Sequence, residues 1–331
     1  MVIKEFNRTG LKVTPMGLGL AALGRPGYIN LGHARDLEHK YDVEAMETNA
    51  HDILDIAWQN GIRYFDVARS YGRAEAFLSS WLHSRQIHPV EIVVGSKWGY
   101  TYTAGWQVQA DKHEVKDHSL PVFKRQLVES RNFLGDFLNI YQIHSATIDS
   151  GVLDNREVLA ALGELRDTGV VIGLSLSGPN QSETLYKALS VQIYGEPLFR
   201  SVQATWNLLA RQAGPALEEA HISGMGVIIK EAVANGRLTE RNTDPSFSSK
   251  RHLLEQIAAE VGVPIDALAL AGVLARPWVD VVLSGAAQSS HLLSNISALE
   301  VAWTDEIENR LISLVEPEET YWKIRSNLNW N

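Results

Sequence analysis

Short apolar runs alternate with longer amphipathic ones from residue 15 almost to residue 300. The runs at 16–20, 64–67, 91–95, 138–143, 171–175, 201–205, 226–229 and 279–283 have the length and apolar content of buried strands. Between them, apolar residues recur with helical spacing at 45–59, 74–84, 122–133, 156–167, 182–189, 214–220, 265–274 and 290–299. Strand followed by helix, eight times over, implies parallel pairing through right-handed crossovers. That number of units suits a closed (β/α)8 TIM barrel better than an open sheet. No Gly-, Pro- or Ser-rich linker interrupts the order, so residues 1–331 are expected to form a single domain.

Several segments lie outside the repeat. They are an N-terminal β-hairpin at 4–7 and 11–14, long loops at 21–42, 99–120 and 234–248, two extra helices at 250–261 and 304–315, and a tail. In such a barrel the loops that follow strands build the active face. The loops after the first, third and seventh strands, with the tail, are therefore expected to wall a substrate site.

Composition narrows the chemistry. The chain has 331 residues and no cysteine, which excludes disulfides, thiolate metal sites, iron–sulfur clusters and a cysteine nucleophile. Any redox role must come from a bound cofactor. The formal charge of −9 and the lack of clustered Lys and Arg argue against a nucleic-acid surface. The apolar stretch 264–287 is broken by Asp266, Arg276, Pro277 and Asp280, so no membrane span is expected. With no apolar run behind Lys4 and Arg8 to act as an export signal, a cytoplasmic protein is expected, as a monomer or weak homo-oligomer. The 11 histidines show no helical H-x-x-x-H pair, and no metal is expected.

Gly17-Leu18-Gly19-Leu20-Ala21-Ala22 matches the glycine-rich dinucleotide fingerprint after a strand. That fingerprint needs a helix to open at once, and Leu23-Gly24-Arg25-Pro26-Gly27 prevents one. A doubly wound sheet is set aside on this ground.

Three ionisable residues close three successive strands: Asp66, Lys97 and His144. A lone strand-end His, a lone Asp–Lys pair or a lone loop Tyr is usually structural. Together with Tyr71, five residues past Asp66, they place four proton-handling groups on one rim. Asp66 and Lys97 are expected to neutralise each other, since a buried charge without a partner is costly. An ammonium beside a phenol favours the phenolate, so Tyr71 is expected to titrate below its usual value of about 10.

Gly61-Ile62-Arg63-Tyr64-Phe65-Asp66-Val67-Ala68-Arg69-Ser70-Tyr71-Gly72, Gly95-Ser96-Lys97-Trp98-Gly99 and Ile140-Tyr141-Gln142-Ile143-His144 resemble, in order, the signature segments of the aldo-keto reductases. The resemblance implies nicotinamide-dependent interconversion of carbonyl and alcohol, with a catalytic tetrad on Asp66, Tyr71, Lys97 and His144. It implies cofactor contacts at Gly19, Asp66, Ser175, Gln203, Lys230, Glu231, Gly285, Ala286, Gln288, His291 and Asn295. Four positions depart from the family pattern. Leu176 replaces an amide beside Ser175, with Ser177 nearby as a substitute. Lys230 stands where an aromatic covers the nicotinamide. Gly285 and His291 stand where NADPH-preferring relatives carry Lys and Arg. NADP(H) is placed slightly ahead of NAD(H).

Tyr28, Trp98, Tyr100, Trp106 and Trp206 are candidate substrate walls, with Tyr102 and, from the tail, Tyr321, Trp322 and Trp330. Ordinary packing competes for at least half of them. The expected activity is oxidoreduction of an aldehyde, a ketone or an aldose. A nicotinamide-binding regulatory subunit is the alternative, motivated by Leu176 and Lys230. A barrel enzyme for phosphorylated substrates, with Gly285 near a helix start, is a third.

Overall fold

The computed structural model describes residues 1–331. Eight parallel strands close into a barrel: β1 (Met16–Gly19), β2 (Tyr64–Asp66), β3 (Val93–Trp98), β4 (Leu138–Ala146), β5 (Val171–Leu176), β6 (Ser201–Thr205), β7 (Gly226–Lys230) and β8 (Val281–Ser284). Each pairs with its neighbours in sequence, and β8 returns to β1 through Leu283 opposite Gly17. The barrel and its N-terminal hairpin are those expected from the alternating pattern.

Three barrel strands differ from their apolar runs for one reason. β3 extends through Ser96 and Lys97, β4 through His144, and β7 through Lys230, where the runs had ended at polar residues. Inside a barrel mouth the backbone ladder continues beneath polar side chains. β4 also shifts register between Ile143 and Ala146, with Ser145 in the left-handed region at φ 51°. A bulge of this kind re-aims the flanking side chains, here those of His144.

The barrel interior is filled from below by Tyr64, Val93, Ile140, Val171, Ile228 and Val281. Phe6, delivered by the hairpin Lys4–Glu5 and Lys12–Val13, caps this layer. A Cβ at Gly226 would lie 2.3 Å from the Phe6 ring, so only glycine lets the plug seat there. Helices Val43–Gln59, Ala74–Ser84, Leu120–Leu134, Arg156–Arg166, Gln181–Leu189, Gly214–Ile222, Ile265–Leu274 and Ser289–Ile296 follow the strands around the outside.

The two extra helices are Ser248–Val261 and Asp305–Leu311. Four elements lacked a sequence signal: helix His33–Asp36, a hairpin of Tyr100–Tyr102 with Glu114–Lys116, a second of Gln192–Ile193 with Glu196–Pro197, and helix Glu318–Ser326 in the tail. No single helix is long and apolar enough to cross a membrane.

Candidate active site

Asp66 ends β2 opposite Gly95 of β3, so Lys97 lies two residues further up the neighbouring strand on the same face. The Lys97 ammonium donates to Asp66 Oδ1 and, at 3.0 Å, to the Val67 carbonyl. The second oxygen, Asp66 Oδ2, accepts from Gln203 Nε2 at 2.8 Å and from the Tyr64 hydroxyl at 3.4 Å. The pair is sealed: the side chains of Lys97 and Asp66 are 0% and 3% exposed. The loop beyond β2 stays laced to β3 by Val67 N to Gly95 O at 2.9 Å and Arg69 N to Lys97 O at 3.1 Å. That lacing sets the Tyr71 ring over Lys97, with Nζ 4.8 Å from the ring centroid.

Tyr71 and His144 meet edge to face, ring centroids 5.4 Å apart. The Ser70 hydroxyl lies 3.4 Å from His144 Nδ1. A hydroxyl that donates to Nδ1 leaves Nε2 as the donor of the ring. Tyr71 and His144 both line a single cavity of about 450 Å³ at the C-terminal mouth of the barrel.

The electrostatics correct one expectation. Tyr71 is held well above the ordinary phenol value, first by burial and then by the Asp66 carboxylate. Lys97 does not pull it down, because Asp66 holds that ammonium directly and leaves the phenol facing an ion pair rather than a free cation. Burial lowers Lys97 itself, against the opposing charge of Asp66. His144 is held well below 6.5 by burial and then by Lys97, Lys230 and Arg25, so its imidazole is neutral. A phenol that keeps its proton and a neutral imidazole thus face one space, where both can serve an oxygen atom.

The cavity runs from this cluster to the first turn of helix Ser289–Ile296. Gly19, Tyr28, Asp66, Tyr71, His144, Gln203, Lys230, Glu231, Gly285, Ala286, His291 and Asn295 all line it. Lys97 lies directly beneath. Tyr100 stands behind His144, ring centroids 5.0 Å apart. Ser175 is buried off the cavity, accepting from Ser145 N at 2.8 Å, and Ser177 lines the wall instead. Gln288 turns its amide to the Asp36 carbonyl at 3.2 Å.

Besides Tyr100, Tyr102 and Trp322, three more candidate aromatics do not line the cavity. Trp98 is fully buried, edge to face with Phe123 at 5.0 Å. Trp206 packs on Trp278 at 5.6 Å. Trp106 packs on Phe77 and donates to the Tyr41 carbonyl at 2.6 Å. In each case apolar area buried against a neighbouring helix or loop outweighs display in the mouth. Of the tail aromatics, Trp330 lines the cavity, whereas Tyr321 is buried and accepts from Asn207 at 2.9 Å.

Residues without a sequence motif complete the site. Arg25 sits 5.3 Å from the Tyr71 ring and pairs with Glu114 at 3.0 Å. Arg325, from helix Glu318–Ser326, pairs with Glu231 at 2.7 Å. Arg241 clasps Asp36 with both terminal nitrogens, joining the loops after β7 and β1, and lies 3.1 Å from His291 Nε2. Only Tyr64 carried a usable signal, being two residues before Asp66 and so on the same strand face.

A model of the aldo/keto reductase family matches residues 15–316. The chain belongs to that family. This aldo/keto reductase is 25% identical to an uncharacterized oxidoreductase of Bacillus subtilis (strain 168), over 98% of this chain and 99% of that one. It is 26% identical to the pyridoxal 4-dehydrogenase of Microbacterium luteolum, over 94% and 96% of the two chains. In fold it matches the holo form of an aldo-keto reductase from Bacillus halodurans with a TM-score of 0.71, at 23% identity, covering 96% and 97% of the chains. The protein is therefore an oxidoreductase of a family that acts on small carbonyl compounds with a nicotinamide cofactor.

The far half of the cavity suits a dinucleotide. Gly285 lines it, with nothing within 4 Å of where a Cβ would stand. His291 lies in the first turn of the following helix, whose N-terminus favours an anion, and Ser294 and Asn295 lie in its last turn. No group of three or more His, Asp and Glu converges as a metal site would require.

Proposed function

We propose that the protein interconverts an aldehyde, ketone or aldose with its alcohol or lactone, with Tyr71 as general acid and base. The observation that carries this reading is the convergence of Tyr71 and His144 on one cavity above the buried Lys97–Asp66 pair.

Gly19, Ser177, Gln203, Glu231, Gly285, Ala286, His291 and Asn295 would hold the dinucleotide. That group supplies the hydride when bound. Arg241 adds a cation beside His291, but Asp36 already engages it. NADP(H) therefore stays only slightly ahead of NAD(H).

The protein's own residues handle the proton. In reduction, His144 holds the substrate oxygen and the Tyr71 hydroxyl gives its proton to that oxygen as negative charge develops. A phenol kept protonated is suited to this direction. Lys97, 4.8 Å from the ring centre and fixed in place by Asp66, seats the Tyr71 ring above the ion pair. Oxidation of the alcohol reverses these transfers.

The test is turnover of a panel of aldehydes and aldoses with both nicotinamides, alongside Tyr71→Phe. Loss of a general acid lowers kcat by about 100- to 10,000-fold, and fluorescence quenching should show cofactor binding retained. A fully active Tyr71→Phe, or cofactor binding without turnover of any panel member by the native protein, overturns the proposal.

A further inference from the structure

Beside Tyr71 the cavity carries a charged pair that the proton chemistry does not use. Arg25, in the loop after β1, is 3% exposed and lies among three rings. Its Cζ is 4.8 Å from the centroid of Trp330, 5.3 Å from that of Tyr71 and 5.4 Å from that of Tyr28. A single nitrogen makes both of its hydrogen bonds: Nη1 donates to the Ser70 carbonyl at 3.1 Å and to Glu114 Oε2 at 3.0 Å. Ser70 precedes Tyr71, so this contact ties the guanidinium to the loop that carries the reacting phenol. Glu114 comes from the hairpin after β3, where it stands opposite Tyr102, and the same hairpin holds Tyr100 against His144. Arg25, Glu114, Tyr28 and Trp330 line one cavity with Tyr71 and His144.

The charges cancel within the pair, but its hydrogen-bonding capacity is not used up. Arg25 Nη2 keeps its N–H donors and Glu114 Oε1 keeps its lone pairs. A plain alkyl chain laid against them would take away water and return no hydrogen bond, which is costly. An oxoanion would satisfy Arg25 but meet the like charge of Glu114 beside it. Neighbouring hydroxyl groups suit both sides at once, because one oxygen accepts from Nη2 while the next hydroxyl donates to Oε1.

We propose that Arg25 and Glu114 read the hydroxyl groups of the carbonyl substrate, and that the protein acts on an uncharged polyhydroxylated compound, an aldose, in preference to a plain or an acidic aldehyde. This rests on the oxidoreductase reading and narrows its substrate class.

Three four-carbon aldehydes test it: D-erythrose, butanal and succinic semialdehyde. For native protein and Glu114→Gln, kcat/KM is measured with nicotinamide for each, per free aldehyde. The native protein should favour D-erythrose over both others by about tenfold or more, the worth of one hydrogen bond to a charged group. Glu114→Gln keeps the size of the side chain but removes its charge. It should lower the ratio of D-erythrose to butanal by about tenfold. It should also raise the ratio of succinic semialdehyde to butanal, because the guanidinium is then free to take a carboxylate. Hydration and ring closure belong to the aldehydes and cancel between the two proteins.

Ratios that Glu114→Gln leaves unchanged overturn the proposal. So does an equal fall with all three aldehydes, which would make the pair a support for the loops alone, and so does a native preference for succinic semialdehyde. Where the native protein turns over no aldehyde, the oxidoreductase reading fails and ligand-observed NMR of erythritol against butan-1-ol decides the inference by itself. Erythritol binding that is tighter than that of butan-1-ol and weakened in Glu114→Gln supports the hydroxyl-reading pair. Erythritol binding that is no tighter, or that is unaffected by the substitution, overturns it.

Discussion

Tyr71 shows how the sign of a local effect depends on the whole neighbourhood. Proximity of Lys97 by itself predicts an acidic phenol, but the Lys97–Asp66 pair presents nearly no net charge, so burial decides the outcome. The expected consequence is a reductive kcat/KM that stays level from pH 6.5 to 10.0, the ordinary values of His144 and Tyr71. Both groups are displaced outward, so neither titrates inside that window. A pH–rate profile checks this, and an inflection near pH 8 contradicts it. Lys97→Met would leave the Asp66 carboxylate buried with only neutral donors, Gln203 and Tyr64. Breaking such a pair costs about 3–5 kcal/mol, readable by urea unfolding. Lys97→Met combined with Asp66→Asn should recover part of that loss. The identities of the four central residues were legible because strand ends and one loop offset place them. The state of their protons was not, because it depends on what surrounds them in space.

Among the elements, the tail differs most from its sequence reading. Helix Glu318–Ser326 has a weak apolar pattern, yet it delivers Arg325 into the cavity as the partner of Glu231. Burial alone would raise Glu231, but Arg325 and then Lys230 more than offset it and hold the carboxyl at about 2. A carboxylate with a depressed folded-state value contributes its full stability above the ordinary 4.5 and loses it as pH falls toward 2. Arg325→Met should therefore destabilise the protein at neutral pH by about 3 kcal/mol. The gap from native should narrow as the pH is lowered through 4.5 toward 2, which denaturant midpoints at several pH values would reveal. A gap independent of pH would mean that Arg325 acts by packing alone. The long loops after β1, β3 and β7 were readable as walls from length and position. Their clasp, Arg241 on Asp36, joins residues 205 positions apart and leaves no trace in local pattern.

For the molecule as a whole, acid sensitivity follows from histidines folded in neutral form. His33 is fully buried, and burial lowers it to about 4 from 6.5. His118 is lowered likewise to about 4 by burial. The unfolded chain takes up these protons first, so stability falls as pH drops from 6.5 to 4 and levels off below that for these groups. Each pH unit is worth about 1.4 kcal/mol per group at most. His33→Leu should flatten this limb of a thermal-midpoint curve between pH 6.5 and 4, and an unchanged slope would remove His33 from the account.

The sequence by itself determined the barrel, the order of its strands and the rim on which Asp66, Tyr71, Lys97 and His144 gather. Strand and helix periods are local properties, and eight alternations leave few ways to close a sheet. Tertiary structure alone decided which aromatics pack away from the mouth and which of the cavity's cations find partners. Those outcomes depend on distances of a few ångströms between residues far apart in the chain, and burial sets the strength of each charge only once the fold has closed around it.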